Sequence, residues 1–234
     1  MKISNTVALV TGANRGIGLA FTRELLARGA RKVYAGARDP SAIKQPGVEA
    51  IRLDVTNLEE ILAAAAHAGD VALLVNNAGI AYAGGFLAHD SEEVARRQLE
   101  TNFFGMLRVT QAFAPILAAN GGGALLNVLS VASWINGGQL AGYAASKAAA
   151  WSLTNSLRHE LASQKTQVLA LHMGFVDTDL TRGVDAPKAS AGEIVKRALD
   201  GLESGLDEVL ADERTREIKQ GFNAARPSYL PLTV

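Results

Sequence analysis

TVALVTGANRGIG, residues 6–18, changes its periodicity across a single turn. Thr6 to Val10 is a short apolar run rich in β-branched residues, which predicts a buried strand. Glycines follow at 12, 16 and 18. Leu19 to Arg28 then spaces its apolar residues as a helix does and stops at Gly29. Strand, glycine-rich turn and helix in direct succession is the context a phosphate-binding turn needs. Glycines let backbone N–H groups approach the phosphate, and the helix N-terminus adds its positive end. The spacing is GxxxGxG, not the GxGxxG of the commoner dinucleotide fingerprint. A plain glycine turn is the simpler alternative; the flanking strand and helix favour the phosphate.

The alternation continues along the chain. Lys32 to Ala37 predicts a second strand, with Arg38 just past its end. In a dinucleotide fold this position faces the adenosine ribose. An acidic residue there favours NAD through the 2′-hydroxyl, whereas an arginine pairs with a 2′-phosphate. Arg15, inside the turn, is a second cation for that phosphate. Asp39, which follows Arg38, would blunt that preference for NADP, and either arginine is otherwise a solvated charge. Val48 to Leu53 predicts a third strand ending at Asp54 and Val55. The Asp54 carboxylate either accepts from an adenine amino group or, like Thr56, caps the helix predicted from Leu58 to His67. Val71 to Val75 predicts a fourth strand that breaks at Asn76, Asn77, Ala78 and Gly79. These residues suit close backbone approach at a ligand crevice, or a simple turn.

Ser91 to Leu117 predicts one long helix, within which Asn102 is either a satisfied core amide or a site residue. Ala124 to Leu129 predicts a fifth strand that delivers Ser130, which donates to a substrate oxygen or merely ends the strand. Val168 to His172 predicts a sixth strand. The loop after it, about 174–190, has the length of a lid or binding loop. A helix to Leu202, a short strand at Glu208–Ala211, a helix at Arg214–Ala225 and an irregular end from Arg226 complete the prediction. Strands alternating with helices imply right-handed crossovers and a parallel sheet covered on both faces. The expected architecture is a Rossmann-like, doubly wound α/β fold of seven mostly parallel strands, in one domain over residues 1–234.

Composition removes several functions. Basic and acidic residues cancel at 23 each, so nothing points to nucleic acid or an anionic membrane. Cysteine is absent, which excludes disulfides, thiolate nucleophiles and cysteine metal sites. The four histidines are scattered without ligand spacing, so no zinc site is expected. No apolar run reaches the roughly 18 residues of a membrane span, and no leader pattern precedes the first strand. A cytoplasmic protein is the expectation.

Tyr143 and Lys147 stand four apart in an alanine-rich run that continues to about Ala162. On a helix, i and i+4 share a face, with Cβ atoms about 5–6 Å apart. A phenol with a pKa of about 10 is a poor acid-base group at neutral pH. A neighbouring Lys⁺ favours the phenolate and lowers that pKa, which gives a general acid-base catalyst. Such pairs also occur by chance on surface helices.

The ordered set resembles the short-chain dehydrogenase/reductase family over about residues 5 to 180. TGANRGIG at 11–18 is similar to its TGxxxGxG turn, LDV at 53–55 to its adenine-side aspartate, and YxxxK at 143 and 147 to its catalytic pair. NNAG at 76–79, Asn102 and Ser130 also fall into place. The resemblance implies cofactor contacts from Gly12, Asn14, Arg15, Gly16, Ile17 and Gly18, from Arg38, Asp54 and Val55, and from Asn77, Ala78 and Gly79. Tyr143, Lys147, Val176 and Thr178 would complete them. It implies NADP(H) over NAD(H), because Arg15 and Arg38 occupy the basic positions of the NADPH-preferring, carbonyl reductase-like branch. In that reading Tyr143 gives a proton to the carbonyl oxygen and Ser130 hydrogen-bonds it. Lys147 binds the nicotinamide ribose and lowers the Tyr143 pKa, and Asn102 holds a water linking Lys147 to solvent.

The expected activity is therefore reversible reduction of a small aldehyde or ketone to an alcohol. A catalytically silent NADP-binding sensor or scaffold is the rival, disfavoured because a binding module needs no acid-base pair. A nucleotide-sugar epimerase would need more chain than the roughly 50 residues after Thr178. Trp134, Gln139, Phe175, Leu180 and residues near Ala81–Gly85 are expected to line the substrate pocket. The family's dimerisation helices correspond to those carrying Asn102 and Tyr143. Phe103, Phe104, Phe113 and Trp151 would supply apolar surface there for a homodimer or homotetramer. Two departures stand out: Met173 precedes Gly174 where the family has proline, and the family's glycine-rich C-terminal ending is missing.

Overall fold

The computed structural model describes residues 1–230. Seven strands form one parallel sheet in the order β3-β2-β1-β4-β5-β6-β7. They are β1 Val7–Thr11, β2 Lys32–Ala37, β3 Glu49–Arg52, β4 Leu73–Asn76, β5 Ala124–Val128, β6 Gln167–His172 and β7 Glu208–Leu210. The helices are α1 Gly16–Ala27, α2 Leu58–His67, α3 Ser91–Leu99, α4 Met106–Ala119, α5 Ala141–Glu160, α6 Ala191–Glu203 and α7 Glu213–Gln220.

Alternation along each strand sorts the core into two layers. Ala8 and Val10 of β1 join Phe21 and Leu25 of α1 and Ile194 and Leu199 of α6. Val7 and Leu9 face the other way, onto Ile61 of α2, Phe113 of α4 and Leu157 of α5. Both faces of the sheet are covered, so the strands read as continuous apolar runs, as buried parallel sheets require. Between the sheet and this second layer lies a polar chain the sequence did not announce. Asn76 Nδ2 donates to Thr110 Oγ1 and to Asn127 Oδ1, both at 3.0 Å, and Asn127 Nδ2 donates to Thr154 Oγ1 at 2.9 Å. Each buried amide is thereby satisfied where burial alone would be costly.

The chain leaves β1 toward β2 and β3, then returns to place β4 on the other side of β1. This reversal is the switch point at which ligands bind in doubly wound sheets. The turn after β1 and the Asn77–Gly79 segment after β4 meet there. Asn77 Nδ2 donates to Thr11 O at 2.9 Å and Gly12 O at 3.2 Å, while Thr11 Oγ1 accepts from the N–H groups of Asn77 and Ala78 at 2.9 and 3.0 Å.

Several expected boundaries move. Helix α1 begins at Gly16 rather than Leu19, so its first turn includes Gly16, Ile17 and Gly18. The helix expected from Ser91 to Leu117 is broken by a π-helical turn at Glu100–Gly105, which carries Asn102. Neither Asp54 nor Thr56 caps α2: Asn57 Oδ1 accepts from Glu59 and Glu60 N–H at 2.9 and 3.2 Å. The last helix stops at Gln220 and a 3-10 turn at Gly221–Asn223 follows. The irregular end holds through residue 230, and residues 231–234 of that expectation lie outside the described residues.

A methyl group on Gly18 would sit 2.1 Å from Gly12 O and 2.6 Å from Asn77 Nδ2, whereas one on Gly192, in the first turn of α6, meets nothing within 4 Å. Gly18→Ala should therefore destabilise the fold by about 1–3 kcal/mol. Gly192→Ala should stabilise it by up to about 1 kcal/mol, through helix propensity. Urea midpoints of the two variants would check both signs.

Candidate active site

A single cleft of about 1970 Å³ runs along the C-terminal ends of β1, β2, β4, β5 and β6. Ligand sites for drug-sized molecules typically hold about 300–1,000 Å³, so this one has room for a dinucleotide and a second molecule. One end is the glycine turn. Gly12 and Gly16 adopt φ of 65° and 54°, a region that disfavours any side chain. Asn14, Arg15 and Ile17 line the same wall, as do Arg38, Asp54, Val55, Asn77, Ala78 and Gly79. Gly18 does not reach the cleft. Its missing side chain instead lets α1 close on Gly12 O and Asn77.

Arg38 is exposed at the end of β2. The neighbouring Asp39 carboxylate is turned into a local turn, accepting from Ser41 N at 3.0 Å and Ser41 Oγ at 2.7 Å. Asp54 Oδ1 is likewise taken by Thr56, from N at 2.9 Å and Oγ1 at 2.8 Å. Arg15 reaches across the cleft to Asp179 Oδ2 at 3.3 Å.

The other end of the cleft holds Ser130, Tyr143 and Lys147. Ser130 follows β5 in extended conformation, and its Oγ accepts from Ala132 N at 3.1 Å. Tyr143 and Lys147 stand one turn apart near the start of α5. Lys147 is buried, and its Nζ donates to Val128 O at 2.8 Å and lies 5.9 Å from the Tyr143 ring centroid. Burial of Tyr143 pushes its phenol above the usual value, with the Ser130 hydroxyl beside it pulling the other way. This departs from the sequence expectation that Lys147 lowers it. The cause is desolvation, which also takes Lys147 itself down to about 8.

Asn102 lies beneath the cleft rather than on its wall. Its Nδ2 donates to Ile80 O at 2.8 Å and Ser146 Oγ at 2.9 Å, and its Oδ1 accepts from Ile80 N at 2.9 Å. The π-helical turn aims this amide across to α5, a common use of such bulges near functional sites. Both amide hydrogens are spent, so a water could be held only through the remaining Oδ1 lone pair or the main chain.

The segment 174–190 folds back over the cleft. Val176 bridges to Ala189, with Asp177 N donating to Ala189 O and Ala189 N to Phe175 O, both at 2.9 Å. Val176 and Thr178 line the cleft, as do Gln139, Phe175, Leu180 and Ala81 to Ala83. Gly84 and Gly85 do not. Trp134 also departs from expectation. Its ring stacks on His172 and meets Trp151 and Phe222 edge-on, behind Ser130. Of the aromatics expected at a subunit surface, Phe113 is wholly buried in the core, while Phe104 is exposed.

Sequence reasoning missed the contribution of the C-terminal part. Asp212 to Arg214 line the cleft, and Asp212 Oδ2 accepts from Gly174 N at 2.6 Å while its Oδ1 caps α7 through Thr215. An aspartate before a helix signals a cap; its second partner, 38 residues upstream, has no local sequence signal.

A parallel doubly wound sheet with a glycine turn at its switch point, facing a Ser-Tyr-Lys group whose serine and lysine are buried and whose tyrosine is half-buried on the cleft wall, defines a nucleotide-dependent oxidoreductase. The family model described as short chain dehydrogenase matches residues 6–189. The chain belongs to that short-chain dehydrogenase/reductase family. It is 37% identical over 182 residues to the 3-oxoacyl-(acyl-carrier-protein) reductase MabA of Mycobacterium tuberculosis, covering 76% of this chain and 72% of that protein. It is 38% identical over 191 residues to the galactitol 2-dehydrogenase (L-tagatose-forming) of Cereibacter sphaeroides, covering 77% and 75%. A short chain dehydrogenase from Burkholderia cenocepacia, solved in complex with NADP, superposes with a TM-score of 0.93 at 43% identity, over 97% of this chain and 96% of that one.

Burial sets the titration of Lys147. In the cofactor-free protein its amine should titrate near pH 8, against 10.5 for an ordinary lysine, as read by NMR of the ε-carbon. Between these values the unfolded chain binds the extra proton, so this group makes the fold more stable as pH rises through that window.

Proposed function

We propose that this protein is an NADPH-dependent reductase of an aldehyde or ketone, working reversibly as an alcohol dehydrogenase. The observation that carries the reading is the meeting of Ser130, Tyr143 and Lys147 at one end of a cleft whose other end is the glycine turn. The turn fits a pyrophosphate: two glycines in left-handed conformation lie just before or at the start of a helix N-terminus, and no acidic residue stands in its first turn. Arg38 fits a 2′-phosphate better than a free ribose hydroxyl, since the one carboxylate beside it is already engaged by Ser41. Asp54 would meet the adenine through Oδ2, and Asn77, Val176 and Thr178 would meet the nicotinamide half. The NADP bound by the similar Burkholderia protein supports the same choice.

When bound, NADPH supplies a hydride for the carbonyl carbon. The residues supply the rest. Tyr143, held protonated by burial, gives its proton to the carbonyl oxygen. Ser130 donates a hydrogen bond to that oxygen as charge develops, a kind of contact whose loss costs roughly 10²–10³ in rate. Lys147 holds the ribose, and Asn102 supports the α5 face on which both side chains stand. Residues 174–190 act as the substrate loop of a single cofactor-binding domain. Ile80, Phe175 and Leu180 give the substrate end an apolar wall. With relatives named as 3-oxoacyl reductases, this favours a carbonyl flanked by an apolar chain.

Two experiments test this. The protein should oxidise NADPH with some member of a panel of aldehydes, aryl ketones, diketones and 3-oxoacyl thioesters. Tyr143→Phe should lose at least about 10²-fold in kcat while binding NADPH as before. NADPH binding without turnover of any substrate would favour the silent sensor. Separately, Arg38→Ala should weaken NADPH binding by about 10-fold or more, the worth of a charge-assisted hydrogen bond, and leave NADH binding unchanged in fluorescence titrations. Equal losses for both nucleotides would remove Arg38 from the 2′-phosphate site.

A further inference from the structure

His172, the last residue of β6, is wholly buried and has no part in the reaction proposed above. Its Nδ1 lies 3.2 Å from the backbone carbonyl oxygen of Ser130. A carbonyl only accepts, so the proton of that contact belongs to Nδ1. Nε2 makes no hydrogen bond within the protein. Glu208 Oε1 lies 3.4 Å from it without hydrogen-bond geometry, while the other oxygen, Oε2, accepts from Lys219 Nζ at 2.7 Å. Burial, with Lys219, Arg158 and Lys147 around it, holds the ring neutral, its pKa pushed down to about 3. The ring is clamped as well as bonded. Trp134 stacks on it with centroids 4.0 Å apart and planes 24° from parallel, and Trp151 meets it edge-on at 6.5 Å.

The Ser130 carbonyl has one other donor, Ser133 N at 3.0 Å. A carbonyl oxygen carries two lone pairs. Both are filled, from the 3-10 turn ahead and from β6 beside it, and Val131 N–H of the same peptide donates to Met173 O at 2.8 Å, so the Ser130 peptide is held on both sides. Its hydroxyl inherits that restraint. Donors in such sites work only when fixed, and a displacement of about 1 Å can cost 10²-fold in rate.

We infer that His172 is a positioning residue for Ser130, its Nδ1–H holding the Ser130 carbonyl while Trp134 holds the ring. This rests on the reading of Ser130 as a donor to the substrate oxygen. The test compares His172→Asn, which keeps an N–H donor near the Nδ1 position, with His172→Leu, which has nearly the same shape and no donor. The Asn variant should keep kcat within about 3-fold of the parent, and the Leu variant should lose about 10-fold or more, both with unchanged KM for NADPH. Equal kcat in the two would overturn the inference. If the Leu variant does not fold, His172→Phe keeps the stack on Trp134 and should show the same loss; parental kcat in that variant would also overturn it. Nitrogen NMR of the parent should find the His172 ring neutral and protonated on Nδ1 at pH 6, and an Nε2–H tautomer would overturn the inference. A parent inactive toward every carbonyl would sink the functional reading, and with it the kinetic part of this one. The NMR result still decides whether the bond exists.

Discussion

The close approach of α1 to the end of β1 is the constraint on which the rest depends. No side chain fits at Gly18, because Gly12 O lies only 2.1 Å from where its Cβ would be, far inside van der Waals contact. Asn77 fills the remaining space and ties the turn to β4 through two carbonyls. Two strands that are neighbours in space but 62 residues apart at their nearest ends are thereby locked at the switch point. The cleft opens there because neither backbone can cross it.

The electrostatics of the site follow from the same depth. Around Tyr143 and Lys147, exclusion of water outweighs mutual attraction: the phenol rises and the ammonium falls. Without cofactor the pair is therefore a proton-holding acid beside a weakened base. Lys147 donates to the Val128 carbonyl, so part of its hydrogen-bonding capacity is spent on the main chain rather than on the phenol. The sequence reading placed these two side chains on one helical face, and the structure agrees. It treated their interaction as one in water, and there it differs.

Most of the fold was legible, for a simple reason. Parallel strands buried on both faces write themselves as short apolar runs, and the first five here give way within two positions to a glycine, charged or polar residue: Gly12, Arg38, Asp54, Asn77, Ser130. The residues placed on the cleft wall sit at those breaks, so reading the strands also located much of the wall. What stayed hidden depends on contacts distant in sequence or on register. The π-helical turn keeps helical spacing almost intact, so periodicity does not announce it. Trp134 and Gln139 share one loop, yet one turns inward onto His172 and the other lines the cleft. Phe113 and Phe104 share one helical segment, but only Phe113 lies on the stripe facing the sheet. Asn57, not Asp54, caps α2, a choice between polar residues three apart that propensity alone cannot make.

Asp212 has a consequence for the order in which the molecule is completed. Its carboxylate joins Gly174, where the loop over the cleft begins, to the first turn of α7. A chain emerging from the ribosome therefore has its glycine turn, and the strands that fix it, long before the far wall of the cleft exists. The glycine-turn end of the cleft is complete in sequence by Gly79, while the opposite wall includes residues 212–214. Until they arrive, the emerging chain has the turn and the strands that hold it, and an open side where the cleft will close.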